Sequence, residues 1–209
     1  MGTSRYALKD EDIQQEKDPG SLSEIDEYKK RLLVLFKNKS LRKGKVRLRS
    51  GKWSDYYVDG KQTALDPEGA FLIGKILFEM IRSSSIVPKG IGGVTLGADP
   101  VVTAVSVVSY IEGLPLPAFI IRKEPKDHGT GRWIEGLVNL TPGCEVALVE
   151  DVLTTGGTIL EGVKHVREEG FVVSSIYVLL DREEGGKERI MSEGITPICI
   201  FTKKDVLED

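Results

Sequence analysis

The residues best suited to chemistry stand together at positions 146–158, in the sequence VALVEDVLTTGGT. An acidic pair, Glu150 and Asp151, follows four apolar residues. The rest of the segment consists of Val152, Leu153, Thr154, Thr155, Gly156, Gly157 and Thr158. Where such a turn opens a helix, the first backbone N–H groups lack partners and attract anions. Carboxylates beside a phosphate-binding turn suit a ligand with a phosphate and vicinal hydroxyl groups. An ordinary strand–turn–helix with a capping threonine is the alternative, and it accounts less well for the acidic pair.

A second segment carries three cations and a histidine within seven residues, and glycines follow at positions 129 and 131. Its charged members are Arg122, Lys123, Lys126 and His128. A run of charge is most often a solvated face of a protein. The two glycines make a mobile loop that closes over a site an equally good interpretation.

Strands that alternate with helices must position these groups. The apolar run 146–149 predicts a buried strand, and apolar residues at 159, 160, 163 and 166 predict one face of a helix. The acidic pair then lies at the carboxyl end of a strand, where α/β proteins bind ligands. Further strands are predicted near 90–94, 116–121, 172–180 and 195–201, and short antiparallel strands within 41–60.

Three more helices are predicted, the first ending near residue 37 and another running from Pro100 to about residue 110. The third begins with Asp66 as its N-cap and Pro67 in its first turn. Its predicted buried side consists of Phe71, Leu72, Ile76, Leu77, Met80 and Ile81. Together, these elements predict an α/β fold whose central, mostly parallel sheet has helices on both faces.

The composition narrows the class of protein. A chain of 209 residues suits one domain, preceded by a polar tail at residues 1–20. The net charge of -3 gives no general attraction to nucleic acid, and no apolar run approaches the length of a membrane span. With only two cysteines and no secretory signal, we expect a reducing, cytoplasmic setting.

Segment 146–158 resembles the phosphoribosyl pyrophosphate (PRPP)-binding motif of the type I phosphoribosyltransferases. The resemblance implies that Glu150 and Asp151 bind the ribose hydroxyls and that residues 152–158 complete the PRPP site around the 5′-phosphate. It also implies the type I fold over residues 21–209, with a small N-terminal hood. The hood is expected to comprise about residues 21–65 together with the C-terminal strand.

Segment 122–131 is similar to the catalytic loop of the orotate phosphoribosyltransferases, which makes Lys126, Arg122, Lys123 and His128 the expected catalytic residues. In that family the loop closes over the neighbouring subunit's site, so the resemblance implies a homodimer. Residues 50–57 resemble the family's segment near the base, and residues 93–100 its loop facing the pyrophosphate. Arg49 stands where the family often has lysine, and is the weaker assignment for orotate binding.

Arg182 matches the arginine that binds the orotate carboxylate in this family, and Thr154 is expected to contact the base. Without the resemblance, a surface ion pair of Arg182 with Asp181, Glu183 or Glu184 would be the favoured interpretation. The implied reaction transfers the phosphoribosyl group of PRPP to orotate, giving orotidine 5′-monophosphate and pyrophosphate for pyrimidine synthesis. Mg²⁺ is the expected cofactor, held mainly by PRPP and water, with no dedicated metal site in the protein.

Two other functions fit parts of the sequence. A phosphoribosyltransferase for another base would keep the PRPP site but need a different base pocket. A non-catalytic regulator would bind PRPP or a nucleotide as a signal, without using the charged loop. Neither nucleic acid nor a membrane is an expected partner.

Overall fold

The computed structural model describes residues 22–47, 51, 53–125 and 132–208. Its helices are α1 (Leu22–Lys39), α2 (Lys61–Ala64), α3 (Pro67–Arg82), α4 (Asp99–Ile111), α5 (Gly157–Glu168), α6 (Gly186–Met191) and α7 (Lys203–Leu207). Its strands are β1 (Leu41–Arg47), β2 (Trp53–Val58), β3 (Ile91–Val94), β4 (Ala118–Ile121), β5 (Ile134–Glu135), β6 (Glu145–Leu153), β7 (Val172–Asp181) and β8 (Pro197–Thr202). Within this part of the chain, no helix has the length and apolar character needed to cross a membrane.

A six-stranded sheet in the order β5-β4-β3-β6-β7-β8 forms the centre of the fold. All neighbouring strands are parallel except β5, which runs antiparallel to β4. The predicted mostly parallel sheet is therefore confirmed. Strand β5 was not predicted, because it has only two residues and follows soon after the charged segment 122–131. Its one core residue, Ile134, is 3% exposed and pairs with Ile121.

Apolar side chains cover both faces of the sheet. One core packs α1, α3 and α4 against the sheet, and the other packs α5 and α6 against the opposite face. Helix α3 begins as predicted, since the Asp66 side chain accepts hydrogen bonds from the N–H groups of Glu68 and Gly69. Its predicted buried side was wrong at Phe71, which is 48% exposed and meets Tyr28 edge-on, and Met80 is only partly buried. The helix instead buries Ile73 and Phe78 beside the predicted residues.

The hood contains α1 and the antiparallel hairpin of β1 and β2, in which Leu41 pairs with Val58. The assignment of the C-terminal strand to the hood was wrong. Strand β8 pairs with β7 along the edge of the central sheet, because its apolar residues complete the cores there. The C-terminal segment still contacts the hood, since the Phe201 ring of β8 lies 6.2 Å from the Phe36 ring of α1. After α7, the Glu208 carbonyl oxygen accepts a hydrogen bond from Lys37 Nζ.

Candidate active site

The acidic pair lies at the carboxyl edge of the central sheet. Strand β6 runs through Glu150 and Asp151 and ends only at Leu153, so the strand holds both carboxylates. Asp151 is 9% exposed, whereas Glu150 is less deeply buried. Two carboxyl groups fixed on adjacent residues of a rigid strand present a preorganised set of acceptors for vicinal hydroxyl groups.

Two glycines leave room for the Asp151 carboxylate. A Cβ atom at Gly97, in the loop between β3 and α4, would lie 2.3 Å from Asp151 Oδ1. A Cβ atom at Gly60, in the hood, would lie 3.0 Å from Asp151 Oδ2. The carboxylate is therefore enclosed from both sides by backbone. Sequence reasoning did not single out either glycine for this role, because the close approach exists only in the folded protein.

Lysines on either side moderate the negative charge of the pair. Burial raises the pKa of Asp151, and the positive charge of Lys61 opposes the rise. Lys61 Nζ lies 2.6 Å from Asp59 Oδ1 in the hood. Burial and the like charge of Asp151 raise the pKa of Glu150 from 4.5 to about 8, and Lys123 opposes this rise. Lys123, which follows β4, is therefore close enough to the acidic pair to influence its charge.

The raised pKa of Glu150 predicts how stability depends on pH. Between about pH 4.5 and about pH 8, the native ligand-free protein keeps a proton that the unfolded chain has lost. The free energy of unfolding should therefore fall across this window as pH rises. Above the window, the contribution of Glu150 to the free energy of unfolding should be constant. Glu150→Gln removes the ionisable group, so the variant should be more stable than the parent at high pH. Urea unfolding at about pH 5, 7 and 9 measures the difference, and equal pH dependence in both proteins would contradict the prediction.

The turn after β6 has the geometry of an anion site. Gly156 adopts a left-handed conformation (φ 75°) and precedes α5, which has no side-chain cap on its first N–H groups. Those groups remain available to an anion. Helix α6 supports the turn closely, since a Cβ atom at Gly186 would lie 2.4 Å from the Thr154 carbonyl oxygen. Arg189 Nη1, also on α6, donates to the Thr155 carbonyl oxygen at 3.4 Å and adds a cation that sequence reasoning missed.

Arg182 lies at the same edge of the sheet, directly after β7. Its backbone N–H donates to the Leu153 carbonyl oxygen at 3.0 Å, which ties it to the end of β6. Its guanidinium covers the ring of Tyr56 from the hood at 4.9 Å, and Nη2 pairs with Glu184 at 2.8 Å. The ion pair considered from the sequence thus exists, but Arg182 is only 6% exposed and is not a surface residue.

The first residues of the predicted catalytic loop follow β4. Arg122 N–H donates to the Trp133 carbonyl oxygen at 2.8 Å, and Arg122 Nη1 lies 3.4 Å from Glu135 Oε1. This pairing holds the two ends of the loop together. The predicted residues Lys126, His128 and Arg49 lie outside the described residues. Among the predicted residues that are described, Lys123, the acidic pair, the phosphate turn and Arg182 converge on the carboxyl edge of the sheet.

Comparison with known proteins agrees with this arrangement. The family described as "Phosphoribosyl transferase domain" matches residues 67–202. The chain belongs to this phosphoribosyltransferase family. An orotate phosphoribosyltransferase of Aquifex aeolicus is 45% identical over 182 residues, which is 86% of this chain and 97% of the relative. One from Methanocaldococcus jannaschii is 40% identical over 87% of this chain and 98% of the relative. Within the family, the chain therefore groups with the orotate phosphoribosyltransferases.

Solved structures give the same result. A Mycobacterium tuberculosis orotate phosphoribosyltransferase in complex with Fe(III) dicitrate has a TM-score of 0.75 and 35% identity, over 86% of this chain and 99% of that one. The same enzyme in complex with PRPP has a TM-score of 0.71 and 32% identity, over 86% and 98% of the two chains. The predicted fold and family are confirmed.

Proposed function

We propose that the protein transfers the phosphoribosyl group of PRPP to orotate, giving orotidine 5′-monophosphate and pyrophosphate in pyrimidine synthesis. The observation that carries the proposal is the position of Arg182. A buried guanidinium at the carboxyl edge of the sheet is tied by its backbone to β6, the strand that bears the acidic pair. The names of the relatives support the same reaction.

The donor site is formed by β6 and the turn that follows. The N–H groups at the start of α5 and the hydroxyls of the turn bind the 5′-phosphate, while Glu150 and Asp151 accept hydrogen bonds from the ribose hydroxyls. The reacting sugar carbon gains positive charge as pyrophosphate departs. The carboxylates lie where they can stabilise that charge, and fixed groups of this kind need no reorganisation during the reaction.

The leaving pyrophosphate requires positive charge. Lys123 is already close enough to influence Glu150, and Arg122, Lys126 and His128 belong to the same loop. Cations aimed at a departing anion lower the barrier because the charge they stabilise grows in the transition state. Thr154, in the turn after β6, is the residue we propose to contact the base.

Mg²⁺ is the cofactor we propose. Among the described residues, no three His, Cys, Asp or Glu side chains cluster as a metal site. The oxygen donors present fit a hard cation that takes most of its ligands from PRPP and water. When bound, the ion would neutralise part of the pyrophosphate charge. Among the protein's own groups, Glu150 and Asp151 are the carboxylates that would help to hold the hydrated ion.

One assay separates this function from the alternatives. Mixing the protein with PRPP, Mg²⁺ and orotate should deplete orotate absorbance, whereas uracil, adenine and guanine should not react. A phosphoribosyltransferase for another base would consume one of the control bases. A regulator that only binds PRPP or a nucleotide would leave every absorbance unchanged. Either outcome would replace the proposed reaction.

Arg182→Ala should weaken orotate binding by about 1.5–3 kcal/mol, the range for a hydrogen bond to a charged group. The planar guanidinium matches a carboxylate in a way that adenine, guanine and uracil cannot use. Titration of orotate against the folded variant measures the loss. Arg167→Ala is the matched control, because Arg167 pairs with Glu193 elsewhere on the surface. Wild-type orotate affinity in Arg182→Ala would remove Arg182 from the base site.

We also propose that the protein is a homodimer. An apolar groove of about 880 Å³ lies between α3 and α4, beside the loop at Gly97. Its exposed apolar side chains are Leu65, Phe71, Leu96, Val107 and Ile111. A continuous exposed apolar surface of this kind marks an interaction site. A second copy is the occupant we propose, since the groove adjoins the active site to which the neighbouring catalytic loop would contribute.

Hybrid dimers test the shared site. Mixing Lys126→Ala with Asp151→Asn should restore about a quarter of the wild-type activity. Random pairing makes half the dimers hybrids, and each hybrid has one intact site of two. Each variant assayed alone provides the baseline, and mass measurement confirms subunit exchange. No recovery after exchange would mean that each site is complete within one chain.

The cellular location stays a prediction. Cys144 and Cys199 are both free thiols in the described residues. This agrees with a reducing compartment, and we propose the cytoplasm.

A further inference from the structure

A second cation stands beside Arg182 at the edge of the sheet. Strands β7 and β8 are parallel, and Asp181 is in register with Thr202. The next residues along the two strands are Arg182 and Lys203, so both emerge together at the carboxyl edge. In sheets of this kind, ligands bind at this edge. No sequence motif pointed to Lys203, because its position depends on the pairing of the last two strands.

Both cations approach the same aromatic ring. The Arg182 Cζ atom lies 4.9 Å from the centroid of the Tyr56 ring, and the Lys203 Nζ atom lies 5.9 Å from it. Tyr56 comes from β2 of the hood, which therefore gathers the two positive charges above the central sheet. Each distance is within the range of a cation–π contact.

Arg182 and Lys203 differ in whether an acidic side chain pairs with them. Arg182 pairs with Glu184 at 2.8 Å, so its charge is largely compensated within the protein. Lys203 is exposed, and it forms no ion pair with any residue in the described ranges. The acid on its own helix, Asp205, caps the helix instead of pairing with Lys203, since it accepts hydrogen bonds from Thr202 N–H at 2.7 Å and Thr202 Oγ1 at 2.8 Å. Of the two cations on the Tyr56 ring, Lys203 is therefore the one without an ion-pair partner in the described residues, and its charge suits a single carboxylate.

We propose that Lys203 is a specificity-determining residue of the base site. It supplies the uncompensated positive charge that attracts the carboxylate of the base, while Arg182 provides the planar hydrogen-bonding partner. This inference rests on the proposed function, since it assigns a charged group to the recognition of orotate. Lysine suits this role because its ammonium group is a compact charge on a flexible stem and can reach a ligand without a fixed geometry.

Steady-state kinetics of Lys203→Met test the proposal. The KM for orotate should rise about two- to fivefold, as expected for the loss of one exposed charge pair. The KM for PRPP should stay within about twofold, because the donor site does not include Lys203. Lys203→Arg should restore most of the orotate KM, since it keeps the charge. Lys204→Met is the matched control, because it removes a neighbouring exposed lysine from the same helix and should leave both KM values unchanged.

A salt titration separates a charge contact from a structural role. Raising the ionic strength should increase the orotate KM of the wild type more than that of Lys203→Met, because screening acts on the contact that the variant lacks. An unchanged orotate KM in Lys203→Met would overturn the proposal. So would an equal rise in Lys204→Met, or a parallel rise in the PRPP KM. If the wild type does not consume orotate at all, the proposed function itself fails before any variant is compared.

Discussion

Gly97→Ala should lower kcat/KM for PRPP by about 10²-fold, because a misplacement of about 1 Å at a reacting site has an effect of this size. The added Cβ atom would lie 2.3 Å from Asp151 Oδ1 and 2.6 Å from Asp151 Cγ. Neither group can move freely, since Asp151 is held in β6 and Gly97 lies directly before Ala98, the N-cap of α4. The carboxylate must therefore turn away from the position that suits the ribose hydroxyls. Initial-rate kinetics with varied PRPP, at saturating orotate, measure the loss.

Gly170→Ala is the control for backbone strain alone. Gly170 has a left-handed backbone (φ 84°) after α5, and a Cβ atom there would contact nothing within 4 Å. This variant should lose some stability because its backbone conformation disfavours a side chain, but it should keep wild-type kcat/KM. If Gly97→Ala retained full activity while folded, Asp151 would not be the carboxylate that fixes the ribose.

Lys126→Ala should lower kcat by about 10²–10³-fold, the usual effect of losing one preorganised group that stabilises transition-state charge. The prediction rests on the sequence of the catalytic loop, in which Lys126 stands two residues before His128. Because the interaction strengthens as pyrophosphate departs, the loss should appear mainly in kcat rather than in the KM for PRPP. Lys164→Ala provides the comparison, since Lys164 lies on α5 and forms an exposed pair with Glu168. Unchanged turnover in Lys126→Ala would take this lysine out of the catalytic role.

The sequence predicted the structure best at residues 146–158, where several local patterns follow one another directly. The apolar run, acidic pair and glycine turn predicted β6, the phosphate site and α5, because strand and helix periodicities change within a few residues there. Arg182 was predicted as a site residue through its motif, and its alternative, the pair with Glu184, also exists. The two interpretations do not exclude each other, since a buried guanidinium can keep an acidic partner and still bind a ligand; the role of Arg182 in binding stays a prediction.

The features that escaped prediction all depend on contacts between distant segments. Gly97 and Gly60 matter because of the carboxylate they enclose, which no local pattern reveals. Lys203 reaches Tyr56 only through the pairing of β7 with β8 and the placement of the hood. Strand β8 was assigned to the hood from the family resemblance. Its place in the central sheet depends on its pairing with β7, which the local sequence does not show. Phe71 was predicted to be buried by helical periodicity, yet it faces the apolar groove between α3 and α4.

The close contact of Gly60 with Asp151 limits how this enzyme could be redesigned for another base. The side chains of Tyr56 and Arg182 could be exchanged to suit a different acceptor, because they contact each other and no hydrogen bond or ion pair in the described residues joins them to the acidic pair. A hood grafted from another transferase would still have to carry a residue without a side chain at position 60. A side chain at position 60 would bring its Cβ atom to 3.0 Å from Asp151 Oδ2, a contact tighter than almost all Cβ contacts. Because Lys61 also acts on Asp151, the hood couples acceptor preference to donor binding at two neighbouring positions, Gly60 and Lys61.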